Sequence, residues 1–212
     1  MKRQGVPTAI TAAPLRTVRP VMLEGLYANP RKELVRMRDA GLLVQIAPGT
    51  YTAKPDDIAA EQPWRAPFEE SAMAYATAQF ADRVPVLYGI GAARFHHAIP
   101  RAIAVTVIAV PQQHRPVVLA VGGRIVFTRT DVGRLDARYE RGRTGGFLVT
   151  TPEQTLLDLL DRPALGGMPA EAAAATLTLA ELADRDRVQE LAAGRSSVLK
   201  RKLRDLLEGQ RS

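Results

Sequence analysis

Apolar residues set a changing rhythm along the chain, and the changes mark its elements. Residues 1–13 are small and mixed; they read as a frayed tail or a short first helix. From Leu15 the pattern sharpens. Thr17-Val18-Arg19-Pro20 reads as the start of a helix, because proline is tolerated in a first turn, where its missing N–H has no partner to lose. Val21, Met22, Leu23 and Leu26 would form the apolar side of that helix. Asn29-Pro30 gives a stronger signal of the same kind, a good N-cap followed by a proline at the first helical position. A second helix is predicted over 30–40, with Gly41 at the left-handed position that ends it. On that helix Leu34 and Met37 share one face at i, i+3, while Arg31, Lys32, Arg36 and Arg38 form the polar surface around Val35.

The next segment, Leu42-Leu43-Val44-Gln45-Ile46-Ala47-Pro48-Gly49-Thr50-Tyr51-Thr52, reads as a strand, a Pro-Gly turn and a second strand. Two short helices, a tight connection and a hairpin make a winged helix-turn-helix. Residues 54–67 are rich in Pro, Asp, Glu and Ala and read as a linker, with Trp64, the only tryptophan, packed against one neighbour. The predicted division is therefore 1–62 and 67–212.

The second part alternates between periods. Helices are predicted over 68–81 and 89–97. Strands are predicted over 84–88, 102–110, 116–121, 124–130 and 147–150, with Gly122-Gly123 as a two-residue hairpin turn. Thr151-Pro152-Glu153-Gln154 opens a helix with a capping box, in which Thr151 caps and Gln154 reaches back. That helix carries Leu156, Leu157, Leu159 and Leu160 and stops at Pro163. After Gly166-Gly167 the chain reads as helices. The last, from about Ser197, sets Leu199, Leu203 and Leu206 among Lys200, Arg201, Lys202 and Arg204. The fold class is α+β: a winged helix-turn-helix followed by a mixed α/β domain with a helical C-terminus.

Composition narrows the function. The 212 residues include no cysteine, which removes disulfides and thiolate metal sites and fits a cytoplasmic protein. The longest apolar run, 103–110, is too short to cross a bilayer, and the basic start Met1-Lys2-Arg3-Gln4-Gly5 has no apolar stretch behind it to suggest a signal peptide. The net charge is +7. It is concentrated at the ends: residues 1–60 carry nine Lys and Arg against five Asp and Glu, and 185–212 carry eight against four. Such a distribution points to an anionic partner, above all nucleic acid, with plain solubility as the other explanation.

Candidate chemistry follows the charge. In a helix-turn-helix the second helix enters the major groove, where arginine takes guanine O6 and N7 together and lysine mostly meets phosphate. The candidate DNA-binding residues are Arg19 and Asn29 at the helix starts, Arg31, Lys32, Arg36 and Arg38 on the second helix, and Thr50, Tyr51 and Lys54 near the wing. Gly89-Ile90-Gly91-Ala92-Ala93-Arg94 mimics a dinucleotide fingerprint, but Arg94 replaces the third glycine and no acid ends the next strand, so close helix–sheet packing explains it better. His96 and His97 are adjacent on a helix and point about 100° apart, which is poor for one metal. There is no G-x-S-x-G and no phosphate loop, and Asp158 and Asp161 read as solvated acids on a leucine-bearing helix. No catalytic residue, metal or cofactor is expected, and the chain reads as a non-enzyme. The basic C-terminal helix is either a second nucleic-acid contact or a packed helix with a solvated outer face.

Three stretches carry a family resemblance: the winged segment ending at Tyr51; Val86-Leu87-Tyr88-Gly89-Ile90-Gly91-Ala92-Ala93-Arg94-Phe95-His96-His97-Ala98-Ile99-Pro100; and, most specifically, Val149-Thr150-Thr151-Pro152-Glu153-Gln154-Thr155-Leu156-Leu157-Asp158-Leu159-Leu160-Asp161-Arg162-Pro163. In their order and spacing the chain resembles the AbiEi family of type IV toxin–antitoxin antitoxins, and within it the mycobacterial MenA-like members. The resemblance implies a winged helix-turn-helix that binds inverted repeats in double-stranded DNA before its own operon and represses it. It implies a C-terminal antitoxin domain that counters a toxin of nucleotidyltransferase fold, directly or functionally. The weak first helix before Leu15 departs from common members. Two other functions remain open from the residues alone: a module that binds and inhibits a partner enzyme without specific DNA binding, and a nucleotide-binding enzyme built on the glycine turn at 89–91.

Overall fold

The computed structural model describes residues 5–209. Most of the basic start, on which the signal-peptide expectation rests, lies outside the described residues. The chain folds as α+β, with eight α-helices and two sheets among the described residues.

The first sheet belongs to the N-terminal quarter. A single turn, α1 (Thr8–Thr11), precedes β1 (Thr17–Val18). The helix expected after Pro20 is only a 3-10 turn, Pro20–Leu23, because Glu24 is extended and Gly25 turns left-handed at φ +87°. Of the four apolar residues assigned to it, Leu23 alone is buried, and Val21, Met22 and Leu26 are exposed. The second helix forms as expected: α2 (Pro30–Asp39) starts where Asn29 Oδ1 accepts the Lys32 N–H at 3.1 Å. It ends in a Schellman pair, Gly41 N–H to Arg38 O at 2.9 Å and Leu42 N–H to Met37 O at 3.0 Å, with Gly41 at φ +74°. β2 (Leu43–Ala47) and β3 (Thr50–Ala53) form the expected hairpin around Pro48-Gly49. Strand order is β1-β3-β2, all antiparallel. Leu34 and Met37 pack with Ile10, Val18, Leu23 and Tyr51 into a small core.

No helix or strand occurs over 54–67, but the segment is tied down. Lys54 Nζ donates to Ala60 O and Gln62 O, Arg16 pairs with Asp56, and Arg143 pairs with Asp57.

The second sheet has six strands in the order β6-β7-β5-β4-β9-β8: β4 (Val86–Tyr88), β5 (Val105–Val110), β6 (Val117–Val118), β7 (Arg124–Arg129), β8 (Ala137–Arg141) and β9 (Gly146–Thr150). It is mixed: β4 is parallel to β9 and β5 to β7, and the other pairings are antiparallel. β6 and β7 are joined by the five residues 119–123 rather than by a two-residue turn, because Val118 pairs with Arg124. Side chains alternate across the sheet, as strand geometry requires. Leu87, Ile108 and Val110 meet α3 (Phe68–Phe80) together with Leu15, Ile46 and Ala47 of the N-terminal part. Val86, Tyr88, Val107 and Ala109 meet the other layer, formed by α4 (Gly89–Phe95), α5 (Pro152–Asp161), α6 (Pro169–Leu182), α7 (Arg185–Ala193) and α8 (Ser197–Gly209). Gly91 lets α4 press against the sheet; a Cβ there would collide with Thr106 Oγ1. No helix among the described residues is long and apolar enough to cross a membrane.

Candidate nucleic-acid interface

α2 buries Leu34 and Met37 and turns its opposite face outward. Arg31 and Lys32 stand exposed in its first turn, and neither makes an ion pair among the described residues. Arg36 is bonded to Glu33 one turn back, and Arg38 holds Asp39 and Gln45. Asn29 spends its side-chain oxygen on the cap. Arg19 reaches away from α2 to Gln79 Oε1 of α3 at 2.5 Å. Beside α2 lies a groove of 590 Å³, walled by Arg19, Val21, Arg31 and Val35 and closed by the exposed hairpin tip Pro48-Gly49.

Of the three wing candidates, Thr50 and Lys54 do not line this groove, whereas Tyr51 does. Thr50 is 1% exposed, and Tyr51 is 6% exposed because it packs in the small core with Leu34 and Met37. Lys54 is occupied by two carbonyls of the 54–67 segment. The face that α2 presents thus reduces to Arg31, Lys32 and Arg36, with the hairpin tip beside them.

A second polar centre, missed from the sequence, lies under α5. Asp158 is not solvated: it is 2% exposed. Gln154 Nε2 donates to its Oδ1 at 2.7 Å, and Arg195 stands 3.9 Å away. Oδ2 completes no well-formed hydrogen bond, although the Tyr88 hydroxyl faces the same carboxyl. Burial pushes Asp158 up to about 7, against the opposing pull of Tyr88, Gln154 and Arg195. Burial, reinforced by Asp158, holds the Tyr88 phenol far above its ordinary range. Thr151 caps α5 as expected, with its Oγ1 accepting the Gln154 N–H. The reciprocal half of the capping box is absent, because the Gln154 side chain is turned to Asp158.

The family of the AbiEi antitoxin C-terminal domain matches residues 86–209, more than half of the chain, from the first residue of β4 through α8. The chain belongs to the AbiEi antitoxin family. Two of the three stretches that carried the resemblance, those beginning at Val86 and Val149, lie inside the AbiEi domain, and α2 with its hairpin lies before it. The fold of the whole chain is similar to the crystal structure of the RV2827C protein from Mycobacterium tuberculosis. The likeness covers 96% of this chain and 77% of that one at a TM-score of 0.60, with 20% identity. At that identity the likeness speaks for the fold alone. No curated protein matches the chain.

Within the AbiEi domain the basic C-terminal helix is partly absorbed by packing. Leu199 and Leu203 of α8 are buried. Lys200 Nζ donates to Ala193 O at the end of α7, and Lys202 Nζ donates to Leu160 O at the end of α5. Both lysines therefore neutralise the negative ends of helix dipoles. Arg201 and Arg204 remain exposed. His96 bonds Thr150 O at 2.7 Å, and no group of three or more metal-binding side chains occurs among the described residues.

Proposed function

We propose that this antitoxin is a non-enzymatic, DNA-binding autorepressor of its own operon, in which the N-terminal sheet and α2 form a winged helix-turn-helix. The element order of turn, strand, 3-10 turn, helix and hairpin fits that architecture. The observation that carries the reading is the outward face of α2, where Arg31 and Lys32 stand exposed without ion pairs beside a projecting Pro-Gly tip. The N-terminal residues of a recognition helix reach base edges, and a wing meets the adjacent backbone. The AbiEi domain would counter a toxin of nucleotidyltransferase fold in the cytoplasm.

The test is titration of the full chain against labelled DNA from immediately upstream of its start codon, with scrambled DNA as control, at two salt concentrations. Selective binding that weakens steeply with salt supports the reading, because phosphate contacts release counterions. Arg31→Ala should weaken operator binding by about 1–3 kcal/mol and scrambled-DNA binding much less. Equal loss on both removes Arg31 from base reading. Equal, weak binding to both DNAs by the unaltered chain defeats the proposal.

One observation favours a second reading, a module that binds a partner enzyme without specific DNA binding. Val21, Met22 and Leu26 are 57%, 45% and 55% exposed beside α2, an apolar surface better suited to protein than to phosphate. Co-purification with the neighbouring toxin through this surface, without DNA affinity, would favour that reading.

A further inference from the structure

A concavity of 420 Å³ opens in the AbiEi domain between the 3-10 turn Val132–Arg134, the start of α5 and the end of α7. Arg134 and Arg195 line it from different elements, Leu135 and Leu191 supply apolar wall, Gln154 contributes a buried amide, and Asp131 stands on the lining as an acceptor. The size falls within the range of small-molecule sites. Arg134 makes no ion pair among the described residues, and the carboxylate nearest to Arg195 is Asp158, at 3.9 Å. Asp158 itself adjoins Gln154 and Arg195, 1% exposed at the side chain, with the Tyr88 hydroxyl facing its carboxyl. Burying a carboxyl is costly, and the Gln154 and Tyr88 side chains and the nearby Arg195 offset that cost here.

We propose that this concavity binds a small phosphomonoester, a phosphate carried on a hydroxyl-bearing carbon skeleton such as a sugar phosphate or a nucleoside monophosphate. Arginine is the side chain suited to paired contacts with phosphate oxygens, and here two guanidiniums are left without a carboxylate at hydrogen-bonding distance. Leu135 and Leu191 offer surface to the carbon skeleton, and Asp131 accepts from a hydroxyl. Asp158 is a positioning residue: it fixes the Gln154 amide through Nε2 and draws Arg195 toward the inner wall. The proposal does not rest on the DNA-binding reading, since every residue it uses lies in the AbiEi domain.

The experiment is isothermal titration calorimetry of the full chain with ribose 5-phosphate and adenosine monophosphate, with inorganic phosphate and ribose alongside. The expected result is saturable binding of one or both phosphomonoesters, weaker binding of phosphate, and no binding of ribose. Arg134→Gln and Arg195→Gln should each weaken the ester by about tenfold or more, and Arg31→Gln should leave it unchanged. Arg134 is exposed, so its variant tests the site even if Arg195→Gln fails to fold. No saturable heat with either ester up to about 10 mM overturns the proposal. So does phosphate binding as tightly as the esters, or an affinity that survives in Arg134→Gln.

Discussion

Asp158→Asn should flatten the pH dependence of stability. An asparagine keeps the shape of the carboxyl, can still accept from Gln154 Nε2, and removes the titration. In the native chain burial raises Asp158 from 3.8 to about 7. Between those values the unfolded chain releases this proton while the native state keeps it. Unfolding is therefore favoured as pH rises through the window, the opposite of a salt-bridged aspartate. A shift of about three pKa units corresponds to roughly 4 kcal/mol of native stability, more than half of it lost as pH rises from 5 to 8. The assay is urea unfolding followed by circular dichroism at pH 5 and pH 8. The expected result is that the variant gains about 2–3 kcal/mol on the unaltered chain between those pH values, with unchanged denaturant slopes. Other titrating groups are common to both proteins and cancel in that difference. Parallel profiles would mean that Asp158 is ionised in the native state at low pH, and would refute the argument from its burial.

Two further perturbations test the packing around the candidate interface. Gly41→Ala puts a side chain at φ +74° with its Cβ against the Ala60 carbonyl, and should cost roughly 1–3 kcal/mol in thermal or urea unfolding; no loss would mean that the 54–67 segment yields easily. Glu70→Ala removes the buried carboxylate that accepts from Arg143 N–H at 3.0 Å and from both Thr144 N–H and Thr144 Oγ1 at 2.5 Å. It should cost roughly 2–3 kcal/mol and raise amide exchange in the 142–145 loop, and a loss of stability without that local exchange would assign Glu70 some other role.

The parts of the fold written in strong local chemistry were legible in the sequence. Asn29-Pro30 and Gly41 bracket α2 because a cap, a first-turn proline and a left-handed glycine each act over one turn. The Pro20 signal misleads because a good start says nothing of length, and Gly25 stops the turn at once. Reading Thr17-Val18 as part of that helix then hid β1. Thr50 and Tyr51 read as wing residues because the hairpin pattern does not show which of its side chains are buried. β8 escaped notice because its ARYER pattern is that of a charged edge strand, which periodicity cannot separate from a loop. Asp158 was not legible: at 100° per residue it stands opposite Leu156, Leu157, Leu159 and Leu160, where a solvated acid belongs, and only the packing of α7 and Arg195 against that side buries it.

The largest departure from a sequence-level picture concerns the link between the two sheets. A Pro-rich connection invites the image of a head on a flexible tether, but the structure joins the parts by packing. Leu15, Ile46 and Ala47 of the N-terminal part belong to the same apolar cluster as α3 and the inner face of the second sheet. Ala120 N–H donates to Ile46 O at 2.8 Å across the two sheets, and Arg19 is held by Gln79. Glu70 secures the 142–145 loop, where Gly145 abuts the Leu15 backbone. Swinging the head away would expose Leu15 and Ile46, at roughly 1.5–3 kcal/mol for each side chain, before any polar loss is counted. The orientation of α2 is therefore set by the AbiEi domain through a shared core, and the 54–67 segment only spans the gap. If α2 reads DNA, the angle at which the AbiEi domain stands to the duplex is set by this shared core, not by the reach of a linker.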